Sequence, residues 1–226
     1  MSELVPTPRK SLDGIPDYKF KICVIGATST GKTTIVDRLV SGEFNGNIKA
    51  TVGVEYKPFR FAIGEYLCQL ELWDTAGQET YKSIAKSYFR QAVGCILVFD
   101  LTKQSSFDEL QYWLEQFRQL ASPNAVILLV GNKADLEDQR QISTDTAEQF
   151  AHDNLLNYSE TSAVNGKNIL EVFQRLTKEI FDLVRAQKIF VDGTGHAIQK
   201  GDAQEAQRCD LQEEIAEVET KKKCAC

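Results

Sequence analysis

The sequence has few of the residues that build metal centres and cross-linked scaffolds. Only two of its 226 residues are histidine, and its six cysteines lack the paired spacing of metal ligands. These counts argue against a zinc site and against a disulfide framework. They favour a reducing compartment such as the cytosol.

Long apolar runs and an excess of positive charge are also missing. No apolar run approaches the roughly 20 residues that a membrane-spanning helix needs, and Met1-Ser2-Glu3 does not resemble the start of a secretory signal. A net charge of -6 and a pI near 5.1 argue against general nucleic-acid binding, which needs a basic face. Any membrane attachment is therefore expected to come from a covalent modification.

The composition that remains is typical of one α/β domain with flexible ends. The chain is 42% hydrophobic and long enough to bury a core. Residues 1–17 contain three prolines and are predicted to be a disordered extension. Residues 18–185 are predicted to form the domain. Residues 186–226, rich in Gly, Gln, Asp and Glu, are predicted to be a flexible tail.

Short apolar strands alternate with helical segments through the predicted domain. This alternation predicts a mostly parallel sheet covered by helices on both faces. Val54–Ile63 and Tyr66–Trp73, joined at Gly64-Glu65, are predicted to form a hairpin that adds one antiparallel strand at an edge. Ser106 followed by Glu109 fits a capping box at a helix start. Ligands of such sheets bind beyond the carboxyl ends of the strands.

Residues Gly26–Thr33 match the phosphate-loop pattern, with a predicted strand before them and a predicted helix after them. Glycines let backbone N–H groups surround phosphates, and the helix N-terminus adds favourable partial charge. Lys32 is expected to reach the β- and γ-phosphates, and the Thr33 hydroxyl is expected to ligate Mg²⁺. The loop alone does not decide whether the nucleotide is ATP or GTP, or whether the protein is a kinase or an NTPase.

A second segment, Asp74-Thr75-Ala76-Gly77-Gln78, follows another apolar strand. From the strand end, the Asp74 carboxylate is placed to hold Mg²⁺ through water. Gly77 is expected to offer its backbone N–H to the γ-phosphate, and Gln78 is expected to orient the attacking water as the catalytic residue.

The third segment, Asn132-Lys133-Ala134-Asp135, suits recognition of guanine. The Asp135 carboxylate accepts two hydrogen bonds from the N1–H and the exocyclic amine of guanine. Adenine lacks this donor pair, so Asp135 would be left unpaired against it.

Together the three segments resemble those of the Ras superfamily of small GTPases, and residues 18–185 fit that family without large insertions. The stretch from Trp73 to Tyr81, the Ser87–Arg90 stretch and the terminal Cys-x-Cys are most similar to the Rab branch. The resemblance implies a P-loop NTPase fold, with a six-stranded, mostly parallel sheet that has one antiparallel edge strand and helices on both faces. It also implies Mg²⁺ and hydrolysis of GTP to GDP and phosphate, slow without an activating protein.

Site residues are carried over by matching position. Phe44 stands where the family stacks an aromatic ring on guanine, Thr51 resembles the switch threonine that closes over Mg²⁺, and Glu160–Ala163 resembles the loop that supports the base. Tyr56, Trp73 and Tyr81 resemble the aromatic triad that meets effectors. The expected nucleotide site comprises Gly26, Thr28, Ser29, Thr30, Gly31, Lys32, Thr33, Thr34, Phe44, Thr51, Asp74, Gly77, Asn132, Lys133, Asp135, Ser162, Ala163 and Val164, with Thr33, Thr51 and (through water) Asp74 on the metal.

Several positions depart from the family pattern. Thr28 and Thr30 are bulkier than usual in the phosphate loop, and Ile48 replaces a tyrosine that often lies over the phosphates. These changes leave open a second hypothesis, a GTP-locked scaffold with very slow hydrolysis. Thr80 replaces an arginine that is common in Rab proteins, which bears on the choice of partner. Val164 replaces a lysine, which bears on packing against the base. A P-loop kinase and a soluble regulator without lipid are further alternatives.

The C-terminal sequence predicts lipid attachment. Position 223 is lysine, so a C-a-a-X box is absent, and Cys224-Ala225-Cys226 resembles the double-cysteine ending that Rab proteins have geranylgeranylated twice. Two lipid chains bind membranes stably where one binds marginally. Leu211, Ile215 and Val218 have helical spacing, but so short a stretch is marginal as an isolated helix.

The Rab resemblance also implies partners and a place in the cell. The expected partners are an exchange factor, a GTPase-activating protein, effectors, Rab escort protein and GDP dissociation inhibitor. The expected location is the cytoplasmic face of an endomembrane, cycling with the cytosol, and the expected role is a switch in vesicle-mediated transport. No nucleic-acid partner is expected.

Overall fold

The computed structural model describes residues 5–9, 14–46, 51–77, 82–192 and 196–198. Strands and helices alternate along the described chain in the order predicted from the sequence. The elements are β1 (Thr7–Arg9), β2 (Tyr18–Ile25), α1 (Lys32–Ser41), β3 (Val54–Ile63), β4 (Tyr66–Thr75), α2 (Lys82–Phe89), β5 (Gly94–Asp100), α3 (Gln104–Asp108), α4 (Leu110–Leu120), β6 (Val126–Asn132), α5 (Thr144–Asp153), β7 (Asn157–Glu160), α6 (Ile169–Arg185), β8 (Phe190–Val191) and β9 (Ala197–Ile198).

One seven-stranded sheet organises the domain, in the order β1-β3-β4-β2-β5-β6-β7. The pairs β4–β2, β2–β5, β5–β6 and β6–β7 are parallel, and β3 pairs antiparallel with β4. The carboxyl ends of β2, β4 and β6 therefore lie at one edge of the sheet, where ligands of such folds bind. The predicted fold class and hairpin are confirmed.

The strand count corrects the sequence prediction, which had six strands with the antiparallel strand at the edge. β1 pairs antiparallel with β3 from Thr7↔Ala62 to Arg9↔Arg60, so β1 is the edge strand. Part of the extension predicted to be disordered is thus a strand. The reason is physical: the outer edge of β3 offers unpaired backbone groups, and a short strand satisfies them. The side chain of Gln174 in α6 also donates to Pro6 O at 2.7 Å.

Two apolar clusters fill the spaces on the two faces of the sheet. One contains the buried side chains of α1 and α6, including Ile35 and Phe173. The other contains those of α4, including Trp113 and Phe117, together with Ala147 of α5. The buried apolar side chains of α4 and α6 recur at helical spacing and form part of this core.

Two local predictions are corrected. Ser106 is not a helix cap: it is buried inside α3, accepts from Asp100 N–H at 2.9 Å and donates to Lys103 O at 2.7 Å. The start of the predicted tail is ordered, because Ile189 is buried and β8 pairs with β9. Among the described helices, none has the length and apolar character needed to cross a membrane.

Candidate nucleotide site

The phosphate loop joins β2 to α1, and two of its glycines are required by their surroundings. Gly26 has φ +138°, and a Cβ there would lie 2.0 Å from Val98 O of the neighbouring strand. Gly31 has φ +89°, and a Cβ there would lie 2.3 Å from Asn132 Nδ2. Larger residues at either position would force β2 away from β5, or the loop away from β6. The loop therefore keeps its backbone turned around the start of α1.

The Lys32 ammonium group spans the inside of this loop. Its Nζ donates to Gly26 O at 3.0 Å and to Ala27 O at 2.7 Å, and the residue is only 5% exposed. Burial lowers the Lys32 pKa to about 8, although nearby Asp74 opposes the shift. A buried cation favours an anion beside it, and phosphate supplies one. A Cβ at Gly77 would lie 2.6 Å from Nζ, so glycine keeps this space open.

Three oxygen-bearing side chains meet next to the lysine. The Thr33 hydroxyl donates to Asp74 Oδ2 at 2.5 Å and lies 2.6 Å from the Thr51 hydroxyl. The other carboxylate oxygen, Asp74 Oδ1, is buried and has no hydrogen-bond partner among the described residues. Burial raises the Asp74 pKa to about 6, while Thr33 and Lys32 lower it. Hard oxygen ligands and an unpaired buried carboxylate oxygen fit Mg²⁺.

Asn132 connects the phosphate loop to the base-recognition loops. Its Nδ2 donates to Thr30 O at 2.9 Å, and its Oδ1 accepts from the Thr161 hydroxyl at 3.2 Å. All three residues are buried. The amide therefore fixes the spacing between the segment that faces phosphates and the segments that face the base.

Asp135 is held by the loop that follows β7. Ser162 Oγ donates to Asp135 Oδ1 at 2.5 Å, and Ala134 N–H donates to Thr161 O at 3.0 Å. Lys133 has φ +68°, and its Nζ lies 2.5 Å from Asp100 Oδ2 at the end of β5. Asp135 itself is exposed, so its carboxylate is accessible to a ligand.

Comparison with known proteins identifies the family. The sequence model of the Ras family matches residues 21–182. The chain is 42% identical over 176 residues to the Ras-related protein Rab11D of Nicotiana tabacum, covering 78% of this chain and 79% of that protein. It is 44% identical over 168 residues to the GTP-binding protein ypt3 of Schizosaccharomyces pombe, covering 74% and 78%. With the human Ras-related protein Rab-4B it shares 37% over 187 residues, covering 83% and 88%.

The chain belongs to the Ras family of small GTPases. Its relatives place it within the Rab group, so the resemblance to Rab proteins found in the sequence is confirmed. As a Rab-type GTPase it binds guanine nucleotides and hydrolyses GTP. The role of each site residue stays a prediction, supported by the geometry above.

Some of the remaining residues predicted for this Rab protein lie near the site, and the others lie outside the described residues. Thr28 and Ser29 are exposed on the outer turn of the phosphate loop, Ser29 with φ +63°, and Thr34 and Phe44 are half-buried. Ala163 is buried, but Val164 is 51% exposed. Gln78, Tyr81, Ile48, Thr80, Cys224 and Cys226 lie outside the described residues.

The structure adds an aromatic residue that the sequence reasoning missed. The Tyr56 ring lies 5.3 Å from the Trp73 ring, as expected for a shared surface, and the Tyr88 ring lies 4.9 Å from the Trp73 ring. Tyr88 comes from α2, 15 positions after Trp73, and the Ser87–Arg90 resemblance did not assign it to the aromatic surface. A continuous aromatic row therefore includes Tyr88.

A polar cluster behind the base loop was also missed. The Arg140 guanidinium binds both oxygens of Glu160 at 2.9 Å and both oxygens of Glu137 at 2.8 Å. Tyr158 donates its hydroxyl to Glu160 at 3.0 Å, and together these contacts lower the Glu160 pKa against the effect of burial. Since Glu160 directly precedes Thr161 and Ser162, the cluster anchors the loop that holds Asp135.

Proposed function

We propose that the chain is a Mg²⁺-dependent Rab switch, attached to an endomembrane through its C-terminal cysteines and acting in vesicle-mediated transport. The observation that carries the cation is the hydrogen-bonded group of Thr33, Thr51 and Asp74, in which Asp74 keeps one buried carboxylate oxygen unpaired among the described residues. Two hydroxyls and one carboxylate beside a phosphate loop form a hard oxygen set, which Mg²⁺ prefers.

The residues of the site have separate tasks in this proposal. The phosphate loop and Lys32 bind and orient the phosphates, and Asn132 and Asp135 orient the base. Thr33 and Asp74 would hold Mg²⁺, Asp74 through water, and the ion would neutralise charge on the β- and γ-phosphates. Thr51 joins them only when its loop lies over the site, so its contact with Thr33 couples that loop to the γ-phosphate.

The reaction requires a positioned water. Gly77 lies against Ala27, where its backbone N–H can meet the γ-phosphate, and Gln78 follows it directly. We assign to Gln78 the orientation of the attacking water. The aromatic row of Tyr56, Trp73 and Tyr88 lies beside these segments and is the surface we assign to effectors.

The cycle requires partners of the kinds that Rab proteins use. An exchange factor replaces GDP with GTP, a GTPase-activating protein accelerates hydrolysis, and effectors bind the GTP state. Rab escort protein and GDP dissociation inhibitor handle the lipidated C-terminus. The proposed location is the cytoplasmic face of an endomembrane.

Release of a fluorescent GDP analogue tests the cation site. With Mg²⁺ present, wild-type protein should release the nucleotide slowly, and excess EDTA should accelerate release. Asp74→Ala should release it rapidly in both conditions, because the cation has lost its carboxylate. Asp145→Ala, a change to an exposed carboxylate in the first turn of α5, is the control and should behave like wild type. Release that is slow and insensitive to EDTA in the wild type would refute the magnesium assignment.

A further inference from the structure

A groove of about 620 Å³ lies where β1, β3, α1 and α6 meet. Its apolar lining includes Pro8, Leu39, Val40, Phe59, Ile169 and Leu170. Val40 is 43% exposed, although large apolar side chains of α1 are otherwise turned into the core. The groove therefore presents apolar surface to solvent in a position that the nucleotide site does not use.

The charge at this groove has one sign. Arg9 of β1 and Arg38 of α1 both contribute to the lining, and no carboxylate is found among the described residues that line it. Arg38 lies close to the loop before α6, since a Cβ at Gly166 would be 3.1 Å from its Nη2. An occupant that combines apolar side chains with carboxylates would match this surface.

The N-terminal extension builds one wall of the groove. β1 supplies Pro8 and Arg9, and it is held by its pairing with β3 and by the bond from Gln174 to Pro6 O. The groove therefore exists in this form only while the extension is docked on the domain. This gives the extension a task that sequence reasoning did not assign.

A segment of the same chain has the complementary chemistry. Residues 210–219 contain five carboxylates and no lysine or arginine, and they carry Leu211, Ile215 and Val218 at helical spacing. Only eleven residues, 199–209, separate this segment from the end of β9. Fully extended, they span on the order of 35–40 Å. A domain of this size has a radius of gyration of about 16 Å, so the segment can reach the groove.

We propose that this groove binds residues 210–219 of the same chain as a short amphipathic helix. Leu211, Ile215 and Val218 fill the apolar floor, and the carboxylates face Arg9 and Arg38. The helix is too short to persist alone and forms on docking. Docking holds the last residues, including the predicted lipidation cysteines, close to the domain, and release frees them to extend.

A peptide-binding measurement on the full-length chain tests this proposal. The variant L211S/I215S/V218S keeps the whole chain but removes the apolar face of its own segment. A fluorescent peptide of residues 207–220 should bind this variant, as measured by anisotropy. For a peptide Kd of about 0.1 mM, it should bind wild-type protein about tenfold more weakly, because a short tether keeps the chain's own segment at an effective concentration of about 1 mM. Retention of GDP by both proteins checks that the domain is intact.

Changes in the groove provide the matched controls. In the L211S/I215S/V218S background, R9E/R38E and, separately, V40D should each abolish peptide binding. V40D does not change β1, so loss of peptide binding in this variant would not be caused by detachment of the extension. Arg90→Glu, a change at an exposed arginine outside the groove, should retain binding.

Four results would overturn the proposal. The first is that the peptide does not bind L211S/I215S/V218S, and the second is that it binds this variant and wild-type protein equally. The third is that binding persists in both R9E/R38E and V40D. The fourth is that wild-type protein self-associates through residues 210–219. The last result would assign the groove to a second copy of the chain.

Discussion

Asp135 is the side chain to which we assign the choice of base. Ser162 donates to one of its oxygens, which restrains the orientation of the carboxylate. Asp135→Asn exchanges one acceptor for a donor, so we expect GTP affinity to fall and xanthine nucleotides to be favoured. Hydrogen bonds to charged groups contribute about 1.5–3 kcal/mol each, so the fall in GTP affinity should be at least about tenfold.

Competition binding with GTP and XTP measures this change. Asp138→Asn, at a nearby exposed carboxylate, is the control and should keep the wild-type preference. If Asp135→Asn binds GTP as tightly as wild type, the guanine assignment is wrong.

We assign to Gln78 the task of orienting the water that attacks the γ-phosphate. Gln78→Leu should leave GTP binding unchanged, since no phosphate or base contact is assigned to this side chain. It should slow single-turnover hydrolysis by on the order of 10²-fold, the cost of a misplaced reactant. Phosphate release from preloaded protein measures it.

An unchanged rate would remove Gln78 from the catalytic role. If the wild type were equally slow, the GTP-locked scaffold would become the better description. The exposed Thr28, in the outer turn of the phosphate loop, would then be the first residue to replace by a smaller one.

At the scale of secondary-structure elements, sequence patterns predicted the strands and helices whose formation depends on residues near one another in the chain. The hairpin of Val54–Ile63 and Tyr66–Thr75 follows from alternation and β-propensity, and the helix Lys32–Ser41 ends at the left-handed Gly42, a glycine C-cap. β1 could not be predicted, because its three residues have no stable partner except the open edge of β3. Likewise Tyr88 reaches Trp73 only because α2 packs beside β4.

Ser106 shows how tertiary contacts override a local motif. Its sequence context fits a capping box, yet its hydroxyl is buried and bridges Asp100 N–H and Lys103 O. Ser106→Ala should lower the free energy of unfolding by about 1–3 kcal/mol, because a buried backbone donor is left unpaired. Urea unfolding of GDP-bound protein measures the loss.

The neighbouring Ser105 is exposed in the same short helix and gives the matched control. Ser105→Ala should change the unfolding free energy by less than about 0.5 kcal/mol, as surface substitutions usually do. Equal effects of the two substitutions would mean that the bridge made by Ser106 has no special weight.

At the scale of the whole molecule, the sequence predicted the site better than its surroundings. Residues such as Lys32 and Asp135 come from loops far apart in the chain, but parallel strands bring their carboxyl ends to one edge, so strand order alone predicts that they converge. The cluster around Arg140 and the groove beside β1 depend on how loops and an extension pack. Neither has a periodic pattern that would mark it in advance.

The proposed attachment to a membrane also concerns the whole molecule. Cys224 and Cys226 are the lipid anchor that we propose. The three lysines before them contribute roughly 1 kcal/mol each near an anionic leaflet, and salt screens this attraction. Replacing both Cys224 and Cys226 with serine should therefore move the protein from the membrane fraction to the cytosol.

The same double variant should keep its nucleotide affinity, because the cysteines lie far along the chain from the phosphate loop. A single Cys→Ser change should give intermediate attachment with faster exchange, since one lipid chain binds marginally and two bind stably. Fractionation of cells that express each form, with nucleotide content measured in the recovered protein, separates the possibilities. A double variant that still sediments with membranes while retaining GDP would show that the anchor lies elsewhere in the molecule.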